Sequence, residues 1–487
     1  MKRLTTYIFF LLLVSNITYA EKIYSASWVL KSLLAHYNLD VGLYTLEGRL
    51  QESCNLSLEE SIIKVAKESG LYLSSFYLKY QNEDIVNISE PFIASIKGVY
   101  SVVYPKGEKI EIVSSGDSQI VSKEDFVGFW DGKIISIPPT GVLLRRNRIS
   151  GQKQKIVFIY SYHKESFYLF KQLFDGVYQE ASAAALPLIY IDELGLIPKD
   201  SIEKVILEQE LTEREAFSRA RASLLSELKL IERGIGIKDP TEFYHKIYDY
   251  FAKLDLRIEM EELQYENWKA IVAFDDLNLN QLAVTLFCKG NIDRYLDVIE
   301  QYNEGFWQYN VIIRDKFFLN QIERVAEENP QNTIFTLRGL GHFGIDESVD
   351  LNKFDVEVAI IGEGSFYKLF VSDQLAQILK RNRVTISPEL KESYYLRSFL
   401  IECLRNYYQN RLSFKISTAT IKANEDLAVL LDSEIFRLAR DVEHAIAEGR
   451  LRTTESVYDY VYTWIGRKNS KDKQSMLNVA PLLKDSQ

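Results

Sequence analysis

The sequence predicts an α/β protein. A small α+β region comes first, then an α/β region with a helical insertion, then a helical end that caps it. Three observations lead there. Two apolar runs, 156–160 and 334–337, read as buried strands, and each leads to a histidine, His163 and His342. Strand and helix patterns alternate between them, as in β-α-β units. Elsewhere the patterns separate: helices precede short strands before residue 138, and only helical periodicity follows Pro388.

The chain opens as a targeting segment, expected over 1–20. Lys2 and Arg3 are a positive start, 7–14 is a short apolar core, and Thr18-Tyr-Ala20 is a small-x-small cleavage site before Glu21. The expected destination is a periplasm or the cell exterior. No later stretch reads as long and apolar enough for stable membrane insertion. Cys54, Cys288 and Cys403 are scattered, so at most one bridge is expected and no Cys-x-x-Cys metal site.

Residues 21–138 are expected to fold as one small domain. Val29, Leu30, Leu33, Leu34 and Tyr37 have helical spacing, and a second helix over 58–69 stops at Gly70. Strands are expected at 72–77, 92–96, 100–104, 110–113 and 133–137, punctuated by Gly98, Pro105-Lys-Gly107 and Ser114-Ser-Gly-Asp117. This order resembles the papain-like peptidase domain that clips double-glycine leader peptides from bacteriocins. The resemblance rests on Leu30-Lys-Ser-Leu-Leu-Ala-His-Tyr37, Gly70-Leu71, Ile93-Ala94 before Gly98, Glu124-Asp-Phe126 and Trp130-Asp-Gly132. The family's cysteine falls where this chain has Ser25-Ala26, and its histidine falls near Tyr100. Cysteine peptidase chemistry needs a thiolate beside an imidazole. The domain is therefore expected to be inactive and to bind a peptide or protein. His36, inside the first helix, is expected to be packed or at the surface.

Residues 139–154, with Arg145-Arg146-Asn-Arg148, read as a basic, solvated linker. Residues 155–365 form the α/β region. The strand at 156–160 is followed by a helix with Phe167, Phe170, Leu173, Phe174, Val177 and Tyr178 on its buried side. A strand at 188–191 ends at Asp192-Glu193. Helices are expected over 212–233, after Asp239-Pro240, over 282–288 and 292–302, and over 317–327. Strands at 334–337 and 354–361 complete the region. Gly339 and Gly341 are expected to let the chain turn sharply and to present His342 beyond the strand's carboxyl end.

This region resembles the Tiki/TraB superfamily, related to the ChaN and erythromycin-esterase proteins. Gly339-Leu-Gly-His342 matches one of the family's two Gly-x-x-His motifs, and Tyr160-Ser-Tyr-His163 is a degraded copy of the other. Glu193 matches its acidic position and Arg314, followed by Asp315, its arginine. The resemblance implies a metal-dependent hydrolase of peptidase or esterase type. His163, Glu193 and His342 would hold one divalent metal ion with a position open for water. Arg314 would anchor a carboxylate or a developing oxyanion. His163 as a metal-free general base is the alternative the esterase branch implies. Haem binding is the ChaN-like alternative, and a non-catalytic binding or assembly protein is another. His245, beside Phe243, Tyr244 and Tyr248, reads as structural.

Helices are expected over 366–465, with Leu430, Leu431, Ile435, Leu438, Val442 and Ile446 on one stripe, His444 off it in solvent, and a flexible tail over 466–487. The 487 residues are 47% hydrophobic, enough for real cores. A net charge of -10, with no basic stripe, argues against nucleic acid as a partner.

Overall fold

The computed structural model describes residues 21–37, 39–79, 84–85, 87–96, 98–115, 117–137, 139–147, 153–161, 167–193, 206–207, 209, 211–220, 222, 247, 250–251, 253–254, 256–261, 264–361, 387–414, 416–428 and 430–479. The expected targeting segment, His163, His245 and the helix after Asp239 lie outside them, as does most of the helix expected over 212–233. The described residues form two compact units. One runs to Ala273 and resumes from Trp307 to 361; the other holds Phe274–Phe306 and the residues from 387 onward. The architecture is mixed α/β, as the sequence predicts.

The first unit begins with helices at 21–36 (α1), Leu43–Glu52 (α2) and Leu58–Glu68 (α3). Ser57 and Glu60 close a capping box at the start of α3, and Gly70 ends it at φ 88°. An antiparallel sheet follows: Ser74–Leu78 (β1), Phe92–Ile96 (β2), Val99–Lys106 (β3), Lys109–Ser114 (β4), Asp117–Ser122 (β5) and Lys133–Ser136 (β6), with a short helix Lys123–Phe129 (α4). Helices α2 and α4 and strand β5 were not foreseen. β5 is mostly exposed and polar, so it carries no apolar alternation to read.

The connector expected at 139–154 is built into the sheet rather than solvated. Leu144–Arg145 (β7) pairs antiparallel with β1 on one side and with Phe354–Ile360 (β12) on the other. Beyond it lie Gln154–Ser161 (β8), Leu188–Asp192 (β9), Arg257–Met260 (β10) and Thr333–Gly339 (β11). One sheet of twelve strands results, ordered β10-β9-β11-β8-β12-β7-β1-β6-β2-β3-β4-β5. Its first five strands are parallel. β8 and β11 are neighbours, with Ser161 opposite Gly339, so the two strands read from the sequence do end side by side.

The helix Phe167–Ala183 (α5) covers the parallel part with Phe170 and Phe174. Phe174 meets Phe335 of β11 edge-on at 4.8 Å. Each such fully buried side chain contributes roughly 1.5–3 kcal/mol. The helix expected over 317–327 begins earlier, and the residues ahead of it are helical as well. A π-helical segment, Trp307–Ile312, runs into the helix Ile313–Glu328.

Two buried ion clusters join the antiparallel and parallel parts. Lys79, just after β1, binds Glu180 of α5 at 2.5 Å and Glu357 of β12 at 2.9 Å. Arg146 binds Asp346 at 2.5 Å, donates to Ser74 at 2.6 Å, and lies 4.1 Å above the Phe76 ring. Tyr160 is buried near the end of β8. Its hydroxyl donates to Asp346 at 2.6 Å, and its ring packs edge-on against Phe343.

The second unit is helical: Leu279–Cys288, Ile292–Phe306, Pro388–Leu412, Ile416–Ala428, Asp432–Ala447 and Thr454–Val479. Phe287 stacks on Phe399 at 3.7 Å, and Tyr295 donates to the Tyr395 carbonyl at 2.6 Å. A Cβ at Gly305 would clash with the Phe274 ring, which would have to move. The last helix runs through Gly466 to Val479, where a loose tail was expected. His444 is exposed and meets Glu448. Composition singles out Tyr265–Cys288 as apolar enough to cross a membrane, contrary to the sequence expectation. That stretch is two helices, broken before Leu279 where Asn278 is left-handed at φ 50°.

Candidate functional site

The carboxyl ends of β9, β10 and β11 gather three of the side chains of interest. Glu193 follows β9, Glu261 follows β10, and His342 lies in the first of two 3-10 turns after β11. Arg314 and Asp315 come from the first turn of the helix Ile313–Glu328. Arg338 stands near the end of β11 itself. Parallel strands leave such a crevice at their carboxyl ends because the chain departs there into separate connections.

The glycines do not turn this chain as expected. Gly339 is extended at φ -60°, and Gly341 has open space where a Cβ would stand. The left-handed residue is Gly344, at φ 92°. The short 3-10 turn brings His342 inward without special backbone geometry.

His342 is buried, and carboxylates hold both of its ring nitrogens. Nδ1 lies 2.5 Å from Asp315 Oδ1, and Nε2 lies 3.1 Å from Glu193 Oε1. The Gly339 N–H donates to the other oxygen of Glu193 at 2.6 Å. A ring whose Nδ1–H is given to Asp315 has Nε2 left to exchange a proton with Glu193 or a bound molecule.

The contacts continue into a closed circuit. Glu193 Oε1 meets Arg314 Nη2 at 3.4 Å. Arg314 reaches Glu261 through Nη2 at 2.7 Å and Nε at 3.2 Å. Glu261 Oε2 also accepts from Arg338 Nη1 at 2.8 Å. Arg338 Nη2 faces Asp315 Oδ1 across 4.0 Å, which returns to His342. Acids and bases alternate around the circuit: His342, Asp315, Arg338, Glu261, Arg314, Glu193. Burial alone would raise the Glu261 carboxyl, but the Arg338 and Arg314 guanidiniums outweigh it and hold it below its ordinary value. Burial disfavours the Arg314 charge, yet Glu261 and Glu193 push its guanidinium further up.

Of the expected site residues, Glu193, Arg314 and His342 come together, and His163 lies outside the described residues. Asp315, Glu261 and Arg338 were missed as partners. Asp315 had the signal of standing next to Arg314; Glu261 and Arg338 had none. Of the expected metal set, Glu193 and His342 are among the described residues. Glu193 and His342 offer one oxygen and one nitrogen, and Glu193 is already held by Arg314 and the Gly339 N–H. Among the described residues no group of three or more His, Cys, Asp or Glu side chains is placed to hold a metal ion.

In the region expected to be peptidase-like, Ser25 lies in α1, and its hydroxyl oxygen is buried with no hydrogen-bond partner among the described residues. Tyr100 lies in β3, and burial, with Glu59 beside it, pushes its hydroxyl up. His36 is partly exposed, 3.7 Å from Glu90 and edge-on to Tyr104.

No family model matches the chain. No curated protein matches it. Among solved structures, it is similar to a double-glycine motif protease from an AMS/PCAT transporter in complex with the leader peptide. The identity is 20%, over 24% of this chain and 86% of that one, with a TM-score of 0.21. It is also similar to the peptidase domain of Streptococcus ComA, a bifunctional ABC transporter of a quorum-sensing pathway. That match has 23% identity over 24% of this chain and 91% of that one, with a TM-score of 0.20.

Proposed function

We propose that the first unit carries an acid–base site centred on His342, of the kind that hydrolyses an ester or amide. The observation that supports it is the imidazole held at Nδ1 by Asp315 and at Nε2 by Glu193. Asp315 orients the ring and balances charge on it. His342 and Glu193 move the proton between an attacking water and the leaving group. Arg314 stands against Glu193 and would steady negative charge that develops beside it.

The test is hydrolysis of p-nitrophenyl acetate and a short peptide panel by the full chain and by His342→Gln. A general acid–base group contributes about 100-fold or more, so a loss of that size is expected at an unchanged circular dichroism spectrum. Equal rates in the two proteins would remove the reading.

A second reading is a binding protein without catalysis, built on the same site. It is favoured by the way Glu261 engages both guanidiniums, as in a structural ion cluster. Hydrolysis by the unmodified chain that is absent from His342→Gln excludes it. Residues 21–138 are read as the part that receives a peptide or protein, since Ser25 has no base. Export after cleavage at Ala20 belongs to the same proposal, and N-terminal sequencing of protein from a bacterial host checks it.

A further inference from the structure

The chain that carries His342 is gripped on the residues that follow it. Phe343 is fully buried between two tyrosine rings, edge-on to Tyr72 at 5.6 Å and to Tyr160 at 5.0 Å. Asp346 is fully buried and accepts from Arg146 Nε at 2.7 Å and from the Tyr160 hydroxyl at 2.6 Å. Glu347 Oε1 accepts from the Ser74 hydroxyl at 2.6 Å and from the Tyr72 hydroxyl at 3.0 Å. Its other oxygen faces Lys67 at 3.9 Å, and that ammonium lies 4.4 Å above the Tyr72 ring. Tyr72 thus meets this segment twice, with its ring on Phe343 and its hydroxyl on Glu347. Burial would raise the Glu347 carboxyl, but Arg146 and Lys67, with the bonds from Ser74 and Tyr72, hold it below its ordinary value. It is therefore an ionised anchor at neutral pH.

Lys67, Tyr72 and Ser74 belong to residues 21–138, whereas the segment they hold belongs to the α/β region. None of the side chains in the His342 circuit comes from 21–138. The small region therefore reaches the site through the backbone beside it. That backbone needs such support. Between β11 and β12 it forms only two short 3-10 turns, separated by left-handed Gly344 at φ 92°. Short 3-10 turns have poor hydrogen-bond geometry of their own, so what packs on them sets where they lie. We propose that Tyr72 is a positioning residue for His342. With Ser74 it clamps Phe343 and Glu347, and so sets the imidazole between Asp315 and Glu193. The proposal rests on the hydrolytic reading only for what the imidazole does once it is placed.

The experiment is NMR of the histidine rings in the full chain, labelled only at histidine. The chain has five histidines, and the signal that vanishes in His342→Gln is that of His342. Tyr72→Leu removes both the ring on Phe343 and the hydroxyl on Glu347. Tyr72→Phe keeps the ring and loses only the hydroxyl. The His342 signal is expected to move in Tyr72→Leu and to move less in Tyr72→Phe. The signals of His36, in the same small region, and of His444, in the second unit, should stay in place. With p-nitrophenyl acetate, kcat should fall about 10- to 100-fold in Tyr72→Leu at little change in KM, and recover largely in Tyr72→Phe, because a misplaced reacting group costs rate on that order. An unmoved His342 signal in folded Tyr72→Leu, an equal movement of the His36 signal, or a moved His342 signal with unchanged kcat would overturn the proposal. Should Tyr72→Leu fail to fold, an unmoved His342 signal in both Tyr72→Phe and Ser74→Ala overturns it instead. If the unmodified chain hydrolyses nothing, or His342→Gln is as fast, the hydrolytic reading falls and the ring signal alone decides the clamp.

Discussion

At the scale of single residues, the site depends on what holds one imidazole. Asp315→Asn keeps the shape but turns a carboxylate into an amide that can offer N–H to Nδ1. The ring would then be free to take the wrong tautomer. The rate of p-nitrophenyl acetate hydrolysis should fall about 100-fold at an unchanged melting temperature. Glu261 carries a prediction of its own. Its carboxyl is held below its ordinary value of 4.5 in the fold. A group depressed in this way contributes stability above its unfolded value, and that stability is lost as pH falls through the lower folded value. Urea unfolding midpoints should therefore drop below about pH 4.5. In Glu261→Gln the drop should be shallower, from a lower starting point, because the carboxylate between Arg314 and Arg338 is gone.

At the scale of elements, buried charge joins strands that local pattern does not pair. Arg146 is 7% exposed and ties β7 to Ser74 of β1 and to Asp346 beyond β11. Arg146→Met would strand Asp346 without its cation, at a cost of about 3–5 kcal/mol, measurable as a shift of the urea midpoint. The same segment explains why the linker was misread. Three arginines within four residues look solvated, and nothing local reveals that one of them points inward. Strands β8 and β11 were legible because their apolar runs are continuous. β10 was not: Arg257-Ile-Glu-Met260 is too short and too mixed to show a period. Missing β10 also hid Glu261, which follows it.

At the scale of the first unit, one sheet crosses what the sequence reads as two domains. β7 lies between β1 and β12, so residues 21–138 made alone would leave the β1 edge unpaired and Lys79 without Glu180 and Glu357. That fragment should aggregate or give a poorly dispersed NMR spectrum, while a fragment that keeps the whole unit should not. A well-dispersed spectrum from 21–138 would show that the small region holds its fold without the shared sheet.

Sequence alone determined the α/β class, the helices-then-strands order of the first region, and the two strands that finish side by side. It also pointed to Glu193 and His342, because apolar runs that stop at polar residues are local and can be read along the chain; Arg314 was singled out through the family resemblance alone. Only the tertiary structure decided that Asp315 grips the imidazole, that Glu261 and Arg338 complete the circuit, and that β7 makes one sheet of two regions. The reason is physical. Periodicity records which face of an element meets a core, whereas an ion pair between residues tens of positions apart exists only once burial has removed the water that would otherwise screen it.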